Sequence, residues 1–199
     1  MTNPTQSADI YLASRSPRRQ ELLQQINVSY RLLDVELPEI PHSNESADVF
    51  VQRMALAKAR AGLKQIEKKD PLPVLGADTV VVVDGEILGK PINKDDAFKM
   101  LQRLSNREHE VFSSVALLNH EKKVVKLNRS KVIFRSLTND DIDAYWRSGE
   151  CQDKAGAYGI QGKAAVFIQN LNGSYSGVMG LPLYETSEIL QLFGISPVK

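Results

Sequence analysis

The stretch Pro73-Val74-Leu75-Gly76-Ala77-Asp78-Thr79-Val80-Val81-Val82-Val83-Asp84-Gly85 decides the fold class. Its β-branched run reads as a buried strand, and Asp84-Gly85 is a hairpin turn that returns the chain through Glu86 to Leu88. The run Thr79 to Val83 is far too short to cross a bilayer, which takes about 20 apolar residues. One carboxylate, Asp78, stands inside this apolar strand. Burying it is costly unless it is paired, hydrogen-bonded or bound to a cation. Asp78 is therefore either a structural acceptor or a functional acid, base or metal ligand, and with Thr79 beside it the chemistry suits a hard ion such as Mg²⁺ or Mn²⁺.

Outward from this strand, the chain alternates strands and helices, which predicts a mixed α/β fold. Towards the N-terminus, Asp9 to Ala13 reads as a short strand, Pro17 opens a helix to about Gln25, and Val28 to Val35 is a second strand. Ser46 is the expected N-cap of a long helix through about Lys68, with Val49, Phe50, Met54, Ala57 and Ala61 on its apolar face. Beyond the hairpin, Asn93 with Asp96 caps a helix to Leu104. Val111 to Leu118 and Lys123 to Arg135 form an antiparallel pair. Thr138 caps a helix to Arg147, Ala164 to Gln169 is a strand, Asn172-Gly173 is a turn, and Leu181 to Phe193 is a final helix stopped by Gly194. No linker divides residues 1–199, so a single domain of two lobes is expected.

Composition sets the limits. The chain has 199 residues, 42% of them hydrophobic, with 25 Lys+Arg against 24 Asp+Glu for a net charge of +1. That near-neutrality speaks against a long nucleic acid or an anionic membrane as partner, although it leaves room for a local basic cluster. A lone cysteine, Cys151, excludes an intrachain disulfide and a multi-cysteine zinc site, and it suits a reducing cytoplasm. Met1 to Asp9 is polar and short of positive charge, unlike a signal peptide. His42, His109 and His120 show no metal-binding spacing.

Four segments carry candidate chemistry. Ser14-Arg15-Ser16-Pro17-Arg18-Arg19 lies between a strand and a helix, where free backbone N–H groups, hydroxyls and guanidinium forks suit a phosphate. The alternatives are a capped helix with solvated arginines or a phosphorylation site. Asp78-Thr79 is the second segment. Gly89-Lys90-Pro91 ends the hairpin near the same end of the sheet, and Gly85-x-x-x-Gly89-Lys90 is not a P-loop because it is one residue short and opens no helix. Asp153-Lys154-Ala155-Gly156-Ala157-Tyr158-Gly159-Ile160-Gln161-Gly162 is a glycine-spaced loop that lets main chain approach a ligand, though Tyr158 could equally anchor packing and Gln161 satisfy loop carbonyls. On the long helix, Lys58 and Arg60 are two apart, so at most one faces the site.

Taken together, SxSPRR, GADT, GKP, DKAGAYGIQG, NGSY and VMGLP resemble the Maf family of nucleotide pyrophosphatases over about Ile10 to Phe193. The resemblance implies an elongated, twisted mixed sheet flanked by helices (Maf/ITPase-like) with a cleft between two lobes, often dimeric. It also implies cytoplasmic hydrolysis of a nucleoside triphosphate to monophosphate and pyrophosphate with a divalent cation, Mg²⁺ or Mn²⁺. By motif, Asp78 matches the family's catalytic carboxylate and metal ligand, while Ser14, Arg19, Lys58 and Lys90 match phosphate-contacting positions. Glu39 matches a second metal-binding carboxylate, with Glu36 as competitor. Arg18, Thr79 and Gln161 match the branch acting on dTTP and UTP, and Gln161 offers both donor and acceptor to a uracil or thymine edge. With no histidine or oxyanion motif near it, Cys151 is not expected to be catalytic. A nucleotide-binding regulator of cell division that needs no turnover, and a nucleic-acid module built on Ser14 to Arg19, are the competing classes.

Overall fold

The computed structural model describes residues 8–68 and 70–198; the polar segment at residues 1–7 lies outside the described residues. In chain order the elements are β1 (Ile10–Leu12), α1 (Pro17–Gln25), β2 (Tyr30–Leu32), α2 (Ala47–Leu63), β3 (Val74–Val83), β4 (Glu86–Leu88), α3 (Lys94–Leu104), β5 (Glu108–Leu118), β6 (Lys123–Phe134), α4 (Asn139–Arg147), β7 (Ile168–Asn172), α5 (Tyr175–Met179) and α6 (Leu183–Leu192). Short 3₁₀ turns at Ala155–Ala157 and Lys163–Phe167 precede β7. The strands form one mixed sheet in the order β2-β1-β3-β5-β6-β7, with β4 attached to β3.

The pairing of β3 explains where a cleft can open. On one side, β5 pairs along almost its full length, from Val74↔Leu118 to Val82↔Glu110. On the other side β1 takes only Val74 and Leu75, in parallel, and β4 takes only Val81 to Val83, antiparallel. Between Leu75 and Val81 no strand pairs on that side among the described residues. The sheet forks there, and Asp78 stands in the fork.

Alternation along β3 then distributes its side chains. Val80 and Val82 pack with Phe50, Val51 and Met54 of α2, while Val81 and Val83 pack on the opposite face with Leu101, Leu104 and Phe134. Gly76 is what lets α2 lie so close, because a Cβ there would sit 2.4 Å from the Ala55 carbonyl oxygen and 2.5 Å from the Ala59 nitrogen. A third cluster joins Ile10, Leu12, Leu75 and Leu117 to Leu22, Leu23, Ile189 and Leu190 of α1 and α6. Each fully buried aliphatic contributes roughly 1.5–3 kcal/mol.

The caps expected at Asn93 and Thr138 are present. The Asn93 side chain accepts from the Asp96 N–H at 2.9 Å, and Thr138 forms a reciprocal capping box with Asp141. Four expectations need correction. Helix α2 ends at Leu63, not near Lys68, and Ser46 caps it without a side-chain cap bond. Its buried face is Phe50, Val51, Met54, Ala55, Lys58, Ala59 and Gly62, whereas Val49 is exposed, because the close approach at Gly76 turns the alanines inward. Pairing in the second strand extends only from Tyr30 to Leu32. The strand expected at Ala164 to Gln169 is instead a 3₁₀ turn through Phe167, with β7 beginning at Ile168.

Candidate active site

A cleft of about 930 Å³ opens at the fork and is lined from both ends of the chain and its middle. Ser14, Arg18, Arg19, Glu39, Lys58, Asp78, Thr79, Lys90 and Gln161 all line it. At its floor the Lys58 ammonium bridges two carboxylates, donating to Asp78 Oδ1 at 2.7 Å and to Glu39 Oε1 at 2.5 Å. The side chains of Lys58 and Asp78 are only 10% and 6% exposed, so neither charge is screened by bulk water. Burial pushes the Asp78 carboxyl above the ordinary carboxylate range, against the pull of Lys58 and Arg19. Glu39 is more open. Partial burial works against its charge, but Lys58, Lys90 and Arg19 outweigh that and hold its carboxyl below the usual value. Lys90, exposed at the end of the hairpin, lies 3.6 Å from Glu39 Oε2. Arg60 points to solvent, as the two-residue spacing from Lys58 requires.

Glu36 is elsewhere. It accepts from Arg15 at 3.1 Å, and the same guanidinium pairs with Asp34, so Arg15 and Glu36 close on each other at the exposed rim.

Over the cleft stands the first turn of α1. Arg19 Nε donates to the Gly180 carbonyl at 2.9 Å and Arg19 Nη1 donates to Ser14 Oγ at 3.0 Å. Ser14 Oγ also accepts from the Ser16 N–H at 3.2 Å. Both are acceptor contacts, so the Ser14 hydroxyl proton is left to donate outward. Arg18 leans towards Asp153, 3.9 Å away, on the glycine-spaced loop. That loop is tied to the hairpin, since the Gly156 N–H donates to the Gly89 carbonyl at 3.0 Å. Gly156 has a φ of 67° and a Cβ there would press on Val81, so the position admits glycine alone without strain. Gln161 is exposed on the cleft side of the loop.

One contributor escaped the sequence, and two residues of quoted motifs, Asp153 and Gly180, take roles it did not give them. Ser113, fully buried on β5, bonds Thr79 Oγ1 at 2.9 Å and donates to the Gly177 carbonyl at 2.5 Å. The Gly180 carbonyl orients Arg19, and Asp153 faces Arg18. The paired serines Ser113-Ser114 in the apolar run of β5 were the available signal, but their register against Asp78-Thr79 is set only by the fold. Cys151 is buried outside the cleft lining.

A cleft opened at a fork in a mixed sheet, where Ser14, Arg18, Arg19, Lys58 and Lys90 meet the buried Asp78 and the more open Glu39, marks an α/β protein equipped to receive a polyanion. The chain belongs to the Maf family: the profile of the Maf-like proteins matches residues 9–193. A dTTP/UTP pyrophosphatase of Alkalilimnicola ehrlichii is 50% identical over 195 residues, covering 96% of each chain. Proteins of the same name from Aromatoleum aromaticum (47% identical, 94% of this chain and 96% of that one) and Xanthomonas axonopodis pv. citri (50%, 93% and 98%) are similar over the same span. Among solved structures, the Ham1 protein of Staphylococcus aureus aligns with a TM-score of 0.46 at 16% identity, over 63% of this chain and 71% of that one. No described helix is long and apolar enough to cross a membrane.

Proposed function

We propose that this chain hydrolyses dTTP and UTP to the monophosphate and pyrophosphate. The observation that carries the reading is the convergence of Ser14, Arg18, Arg19, Lys58 and Lys90 on one cleft around two carboxylates, and the names of the relatives agree with it.

Each residue has a role that follows from its surroundings. Arg19, held by Gly180, and Ser14, with a free hydroxyl proton, grip phosphate oxygens beside the N-terminus of α1. Lys58 and Lys90 neutralise the triphosphate, and Arg18 and Gln161 meet the nucleoside end. Asp78 is the general base. Burial raises its affinity for a proton, and Lys58 keeps it ionised until a water approaches. The water oxygen bonds to the α-phosphorus as the bond from that phosphorus to the bridging oxygen breaks. The water's proton passes to Asp78, and pyrophosphate leaves with the bonding pair.

Asp78 and Glu39 are also the residues that would hold a divalent cation, Mg²⁺ or Mn²⁺. Among the described residues no group of three or more His, Cys, Asp or Glu is placed to hold a metal ion, and the Lys58 ammonium already bridges Asp78 and Glu39, so a hard cation at these two carboxylates would draw its other ligands from phosphates and water. Bound there, the cation supplies neutralisation of charge on the phosphoryl group. A cytoplasmic location and pairing of two copies rest on the family resemblance and are read by fractionation and sedimentation.

The test is hydrolysis of a nucleotide panel with Mg²⁺ or Mn²⁺, following pyrophosphate release. Turnover of dTTP and UTP in preference to purine triphosphates is the expected result, and their survival while other triphosphates are cut overturns the reading.

A further inference from the structure

The hydroxyl of Ser113 has one proton, and the structure leaves no freedom in where it goes. Its oxygen lies 2.5 Å from the Gly177 carbonyl, which can only accept, so Ser113 donates there. The same oxygen lies 2.9 Å from Thr79 Oγ1. With the Ser113 proton committed, Thr79 must be the donor, since two lone pairs facing each other at that distance would repel. Ser113 is fully buried, so no water competes for either bond. The chain of bonds continues, because the Gly177 carbonyl also accepts from the Gly180 N–H at 3.0 Å, and the Gly180 carbonyl in turn holds Arg19.

Thr79 is half-buried and lines the cleft. A freely rotating threonine hydroxyl could donate or accept there. This one has its proton turned inward, and only its lone pairs face the cleft. We propose that Ser113 is a positioning residue that makes Thr79 an obligate hydrogen-bond acceptor, so that the site selects nucleotides presenting an N–H or O–H donor at that point. Thymine and uracil carry such a donor in the imide N3–H, where cytosine has an acceptor; the 3′-hydroxyl of the sugar is the other source of the same chemistry. The inference rests on the nucleotide hydrolysis proposed above and deepens it.

The experiment compares kcat/KM for UTP, CTP and 3′-deoxyuridine triphosphate in the wild-type chain, Ser113→Ala, Thr79→Val and the double variant. The wild type is expected to lose about tenfold on the substrate lacking the donor, the worth of one well-placed hydrogen bond. In Ser113→Ala the Thr79 proton is free to turn into the cleft and meet the cytosine N3 acceptor, and the CTP penalty should fall to within about threefold while thermal melting reports an intact fold. Thr79→Val should show the same reduced penalty with or without Ser113, which cancels the contribution of Gln161. Relief of the CTP penalty in Ser113→Ala assigns the imide; a deoxy-sugar penalty that only Thr79→Val removes, because a rotating Thr79 still accepts from the 3′-hydroxyl, places the contact at the sugar and overturns the role of Ser113. Should Ser113→Ala not fold, Ser113→Cys, close in volume and a weaker partner, is expected to give an intermediate penalty. A penalty indifferent to both Ser113 variants, or one that survives in Thr79→Val, overturns the inference alone. Failure of the wild type to hydrolyse UTP overturns it together with the proposed function.

Discussion

Two buried sites flank the same pair of strands and treat their titratable groups differently. In the cleft, Asp78 of β3 is buried against Lys58 and within reach of Arg19. Across the sheet, His109 of β5 is buried against Phe134 and Tyr158, edge-on to Phe134 at 5.0 Å, with Tyr158 Oη 2.8 Å from its Nε2. Burial drives both towards neutrality, which means upward for the carboxyl and downward for the imidazole. The imidazole, with no opposite charge to resist, falls to about 4. Its Nδ1 finds no hydrogen-bond partner. The carboxyl has two cations pulling the other way. Burial is common to both; the counter-charge is what separates a site that can move a proton from a core that excludes one.

The sharpest way to break that contrast is to remove the counter-charge. Lys58→Met leaves two carboxylates close together, one of them buried, and should cost about 3–5 kcal/mol in denaturant unfolding. A loss under 1 kcal/mol would mean that solvent, and not Lys58, supports Asp78. Next in size, Asp78→Asn should lower turnover by ~10²-fold or more, while the melting curve stays near that of the wild type. Unchanged turnover removes Asp78 from the mechanism.

Acid probes the other site. The fold buries the neutral imidazole, so between pH 6.5 and about 4 the unfolded chain takes up a proton that the folded protein refuses. The contribution of His109 is therefore full above pH 6.5 and falls as the pH drops, by about 2 kcal/mol at pH 5. Comparing unfolding of the wild type and His109→Leu at pH 7.5 and pH 5 isolates it; an equal acid loss in both proteins refutes the assignment. Smallest of all, Tyr158→Phe removes one hydroxyl from the imidazole and should cost about 1 kcal/mol.

Much of this was readable in the chain because the signals were local. The β-branched run of β3, the Asp84-Gly85 turn and the caps at Asn93 and Thr138 each depend on residues within a few positions of one another. A carboxylate inside an apolar strand singled out Asp78 before any fold was known. What escaped depends on register and close packing. Ala164 to Phe167 has the apolar character of a strand, yet it turns as a 3₁₀ segment before β7 begins. Helix α5 is a five-residue turn with a glycine inside it, too short to carry a periodic pattern. The rotation of α2 is set by Gly76, a residue on another element. Ser113 faces Thr79 only because β5 pairs in one register, and a one-residue slip would have turned its hydroxyl to the opposite face.

The bond from Arg19 to the Gly180 carbonyl joins residues 161 positions apart, whereas every strand of the sheet has ended by Asn172. During synthesis the scaffold can therefore pair before the residue that anchors Arg19 exists. Long-range closure of this kind comes late in folding, after the local pairings that make it affordable in entropy. A nascent chain halted before Gly180 lacks the carbonyl that holds its arginine. The hold on Arg19 thus depends on a residue that follows every strand of the sheet in chain order.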